Sequence, residues 1–114
     1  MHPSDLQREL RKELQEKEEA LARMLEERQP LQDRLSALMK KRDEQIAAMR
    51  ASRDEFERMR LEAELLNIDR AIREAEGKLQ SVEMRIRGAR SAVEDLKRRM
   101  ELAKPKGEWR VEKP

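Results

Sequence analysis

Residues 61–103, LEAELLNIDRAIREAEGKLQSVEMRIRGARSAVEDLKRRMELA, place apolar side chains at Leu61, Leu65, Ile68, Ile72, Ala75, Leu79, Val82, Ile86, Ala89, Val93, Leu96, Met100 and Ala103. The alternating steps of four and three residues keep one narrow stripe on the same side of a helix, the pattern of a coiled-coil seam and not of a globular core helix. Gly77 and Gly88 fall on outward positions and leave that seam intact.

The preceding half carries a poorer version of the same pattern. Its seam runs through Leu10, Leu14, Lys17, Leu21, Met24, Arg28, Leu31, Leu35, Leu38, Arg42, Gln45, Met49, Ser52, Phe56 and Met59. The two stripes are offset by two residues around positions 59–65. An insertion of three or four residues, the usual interruption of a continuous coiled coil, does not produce that offset. A reversal of direction does, and Ser52-Arg53-Asp54-Glu55 reads as a capping box at the start of a second helix.

In an antiparallel pair the numbers of facing residues have a constant total, here about 103, which sets Leu65 on Leu38, Ile72 on Leu31 and Val82 on Leu21. The same register puts Ala75 beside Arg28 and Ile86 beside Lys17, whose aliphatic stems can lie on apolar surface while their charges reach water. The expected fold is therefore all-α, an antiparallel coiled-coil helical hairpin of two long helices. A long-helix coiled-coil dimer is the alternative, because the turn lacks Gly, Asn and Pro and because Ile72, Ile86 and Val93 suit a two-stranded parallel dimer.

The expected organisation has residues 1–4 as an N-terminal cap, with Ser4 and Gln7 forming a capping box, and helix 1 over 5–51. Pro30 should kink or restart that helix, since it lacks a backbone donor and crowds the preceding turn. Helix 2 spans 52–103, and Lys104-Pro105-Lys106-Gly107 then opens an extended or disordered tail over 104–114.

Composition excludes several classes of function. Charged residues make up 46% of 114 and hydrophobic ones 37%, too little apolar mass for a sizeable globular core. There is no cysteine, so neither a disulfide, a thiolate metal site nor a thiol nucleophile can be built. The one histidine, His2, stands at the chain start, and the carboxylates alternate with Lys and Arg as on solvated helix faces. No catalytic residue, cofactor or metal ligand is expected, and hence no enzyme. No run of about 18 apolar residues is present to cross a membrane, and the start of the chain lacks the form of a secretory signal, so a cytoplasmic location is expected.

Apolar surface beyond the seam marks candidate partner sites. Leu25, Met39 and Ile46 widen the apolar face of helix 1, and Met49, Phe56 and Met59 gather at the expected tip. Trp109 and Val111 offer a short docking motif in the tail. Their partners are expected to be proteins, helical ones in the first place, with a second copy of the chain a further candidate.

Nucleic acid is the weaker candidate. Between Arg85 and Pro114 there are ten Lys and Arg against five Asp and Glu, and Arg85, Arg87, Arg90, Lys97, Arg98, Arg99, Lys104 and Lys106 could neutralise phosphates. Glu94, Asp95 and Glu101 interrupt that stretch, and Trp109 is the single aromatic nearby.

In length, charge richness and hairpin form the chain resembles the small α-helical hairpin proteins that act as stalks or escort factors beside the export ATPases of flagellar and type III secretion systems. No motif carries that resemblance, so no functional residue transfers. Asp54 and Glu55 at the tip also resemble the acidic tips of factors that enter the secondary channel of RNA polymerase, although a capping box already accounts for both acids. The function expected is a non-enzymatic adaptor, spacer or assembly subunit, with a nucleic-acid-associated coiled-coil protein as the alternative.

Overall fold

A computed structural model describes residues 3–103 as two helices, α1 (Pro3–Ala51) and α2 (Glu55–Leu102), packed as an antiparallel hairpin. The chain reverses over Ser52, Arg53 and Asp54, which excludes the continuous long helix. The segment 104–114, the expected tail, lies outside the described residues.

The turn differs in detail from the sequence reading. Asp54, and not Ser52, is the cap of α2: its Oδ1 accepts the Phe56 N–H at 3.0 Å, and its carbonyl accepts the Arg58 N–H at 3.0 Å. The Ser52 amide still donates to the Ala48 carbonyl at 3.0 Å, so Ser52 closes α1, while its hydroxyl donates to the Asp54 carbonyl at 3.2 Å. Asp is as good a cap as Ser, and one placed two residues later leaves Glu55 and Glu57 in the first turn, where the helix dipole favours them. No described residue has positive φ, so the reversal needs none of the glycine or asparagine whose absence argued against it. Replacing Asp54 by Ala is expected to cost about 1 kcal/mol, read as a fall in the urea midpoint with unchanged slope.

The start of α1 also departs from expectation. The helix already includes Pro3, which is favoured in a first turn because its missing donor has no helical partner there. Ser4 therefore lies inside the helix. Gln7 Nε2 donates to the Ala103 carbonyl at 3.3 Å, satisfying an acceptor just beyond the end of α2. At Pro30 the helix neither stops nor restarts. The ring sits on the exposed side, where water can reach the carbonyl it leaves without a donor.

Contacts divide the chain into two compact units, one running from Glu26 to Glu83 and one joining the chain up to Leu25 to the chain from Met84. In the first, Leu61, Ile68, Ile72, Ala75 and Val82 are buried; in the second, Leu10, Ile86, Val93 and Leu96 are. Every residue of the 61–103 stripe is buried or half-buried. The α1 seam is mostly half-buried, because its Leu, Met and Arg side chains are longer and lie over the shorter Ala, Val and Ile of α2. Lys17, on that seam by spacing, is exposed.

Polar contacts fix the register. In the unit holding the turn, Gln45 Nε2 donates to the Leu61 carbonyl at 3.1 Å and to Glu64 Oε2 at 2.8 Å, Arg42 meets Asp69 at 2.7 Å, and Arg28 meets Glu83 at 3.6 Å. Facing numbers in these polar contacts total 106 to 111 and not 103, and Leu38 shares a groove with Ile68 and Ala71. The shift follows from the later turn, which displaces α2 by about one helical step. It also gives the seam arginines Arg28 and Arg42 carboxylate partners.

Candidate functional site

From Phe56 the start of α2 carries a second apolar stripe. Met59, Ala63 and Leu66 each stand two residues before a seam position, namely Leu61, Leu65 and Ile68. At about 100° per residue that sets them some 200° round the helix, on the face turned away from α1. Phe56 joins the same face, and the spacing 56, 59, 63, 66 is itself a 3-4-3 repeat. Phe56 is 82% exposed, Met59 62% and Leu66 62%, and Ala63 is exposed as well. One charged pair borders the stripe, Arg60 with Glu64 at 3.7 Å.

The sequence reading placed Phe56 and Met59 at the end of the α1 seam. Both lie on α2, within the expected bounds of helix 2, and both are exposed there. Met49 remains on α1 and is half-buried. Leu66 went unnoticed beside Leu65, although two adjacent leucines in a heptad cannot share one seam. Leu6, Met84 and Leu102 are further exposed apolar residues that the seam pattern alone did not single out.

Along α1 the surplus residues are placed differently. Leu25 and Ile46 are half-buried and Met39 is 51% exposed, so they form a shoulder of the seam and not a separate face. Trp109 and Val111 lie outside the described residues, as do Lys104 and Lys106.

The basic stretch is partly neutralised from within. Asp95 lies 3.1 Å from Arg99 and 3.9 Å from Arg98, i, i+4 and i, i+3 pairs that solvent screens, and Arg85 also has an interaction partner. Arg87, Arg90 and Lys97 are exposed. Among the described residues no group of His, Asp and Glu is placed to hold a metal ion, and no helix is long and apolar enough to cross a membrane.

No protein-family model matches it, and neither a curated protein nor a solved structure is similar to it.

Gly77 and Gly88 occupy outward positions of α2, where a Cβ atom would meet nothing within 4 Å. Neither is needed for packing inside the chain, and glycine within a helix costs up to about 1 kcal/mol relative to alanine. Gly77→Ala and Gly88→Ala are each expected to raise stability by about 0.5 to 1 kcal/mol, seen as a melting temperature several degrees higher.

Proposed function

We propose that the chain is a non-enzymatic coiled-coil adaptor of the cytoplasm that docks partner proteins through apolar surface its own seam does not use. The observation that carries the reading is the stripe Phe56, Met59, Ala63 and Leu66, exposed on the side of α2 opposite the seam. Outward helix positions of a hairpin face water and are ordinarily charged or polar. Anchors repeated at this spacing are the form in which one helix enters the groove of another protein. Large apolar side chains kept in water on a helix surface mark interaction sites.

The basic stretch supports nucleic-acid binding less well, because Asp95 takes up Arg98 and Arg99. The deciding experiment is native co-purification of the tagged chain, compared with variants of the Phe56 stripe and of the exposed arginines.

A further inference from the structure

The two long edges of the unit from Glu26 to Glu83 differ in chemistry. One is lined by Leu38, Lys41, Gln45, Glu64, Asn67 and Ala71, with charges of both signs. The other is the side to which Arg28 and Arg42 turn to meet Glu83 and Asp69. In an antiparallel pair, the residues just after Leu38 and Gln45 on α1 and just after Leu61, Ile68, Ala75 and Val82 on α2 share that side. On α1 these are Met39 and Ile46, uncharged; on α2 they are Glu62, Asp69, Glu76 and Glu83, an acid every seven residues.

Asp69 and Glu83 are neutralised by the two seam arginines, whereas Glu62 and Glu76 are exposed and make no ion pair among the described residues. This edge thus carries Gln32 and the half-exposed Met39 and Ile46 on α1, and two carboxylates without an ion pair on α2. They are 14 residues apart, about 21 Å along the helix.

We infer that this edge receives one amphipathic helix of a partner protein, its apolar stripe on Met39 and Ile46 and its Lys or Arg side chains, two heptads apart, on Glu62 and Glu76. The inference rests on the adaptor reading and names the chemistry of one partner. Two free carboxylates beside an apolar row repel the phosphates of nucleic acid and of anionic lipid, and they select a cationic flank on the incoming helix. A second copy presenting the Phe56 stripe would bring Arg60 and Arg70 as well as Glu55 and Glu62 to this edge, so self-occupancy is an outcome of the test.

The test uses the full chain and two labelled synthetic helical peptides with the same leucine stripe, one flanked by lysine and one by glutamate, followed by fluorescence anisotropy at low salt. The lysine peptide is expected to bind at least about tenfold more tightly than the glutamate peptide, since two edge charge pairs are gained or lost. Glu62→Lys with Glu76→Lys should invert that preference, and Met39→Asp should weaken both peptides, with thermal melting confirming that each variant is folded. Phe56→Glu should leave peptide binding unchanged.

Equal binding of the two peptides, or insensitivity to Met39, Glu62 and Glu76, would overturn the inference while the Phe56 stripe keeps its own test. Sedimentation showing self-association that Glu62→Gln with Glu76→Gln abolishes would likewise overturn it, in favour of a second copy. Loss of native partners in the Phe56 variants is a separate outcome and bears on the adaptor reading alone.

Discussion

Ile86→Asp is expected to unfold the helix pair around it, whereas Arg87→Asp one residue away should change stability by less than about 0.5 kcal/mol. Ile86 is 1% exposed and is the largest side chain so completely enclosed among the described residues. Shortening it to alanine should already cost about 2 to 5 kcal/mol, from lost transfer energy and the cavity left behind. A carboxylate at the same place must also be desolvated, a further cost of several kcal/mol, which together approach the whole stability of a small domain. Arg87 is exposed, so its replacement disturbs only solvated charge. Urea titration followed by circular dichroism reads all three variants, and similar midpoints for Ile86→Asp and Arg87→Asp would show that the stripe is not the core.

The second large effect concerns binding. Phe56→Glu combined with Leu66→Glu should abolish recovery of native partners while leaving the melting temperature within a few degrees of the parent. Both side chains are mostly in water in the free hairpin, so their replacement removes almost no packing. A large apolar anchor at the centre of an interface is commonly worth 2 kcal/mol or more, so losing two reduces affinity by at least about a thousandfold when their effects add. Arg87→Ala with Arg90→Ala should change association rate and salt dependence and little else. Partners retained by the Phe56 and Leu66 variant but lost from the arginine variant, and eluted by added salt, would instead support nucleic-acid binding.

Much of this molecule was legible in its residues, and the parts that were not share a cause. The α2 seam could be read from Leu61 to Ala103 because short apolar side chains recur there without a charged substitute. The two-residue offset between stripes signalled a reversal, since nothing within one continuous helix would produce it. What could not be read was the residue at which the chain turns. Ser52 and Asp54 are both good caps followed three residues later by Glu, and only the hydrogen bond from Phe56 to Asp54 distinguishes them.

The misplaced turn carried into the pairing register. Phe56 and Met59 continue the 4-3 spacing of the first stripe past the turn, and on α2 they begin an outward face that Leu66 completes. Gln45 and Arg42 looked like flaws in a seam. Their partners Leu61, Glu64 and Asp69 lie on the far strand of the hairpin, and sequence spacing alone does not show which of them comes opposite.

The short turn has a consequence for the order in which the molecule assembles. Contacts across the hairpin join residues ever further apart in the chain: Gln45 and Leu61 are separated by 16 positions, Arg42 and Asp69 by 27, and Gln7 and Ala103 by 96. Closing the largest of these loops from an unfolded chain carries the greatest entropic cost, but once the layers nearer Asp54 are in place each further one closes only a few residues. Folding is then a zipper started beside Asp54 and finished at Gln7. A ribosome, however, releases α1 entire before α2 can meet it, so during synthesis the first helix waits with its seam uncovered until the chain has passed the turn.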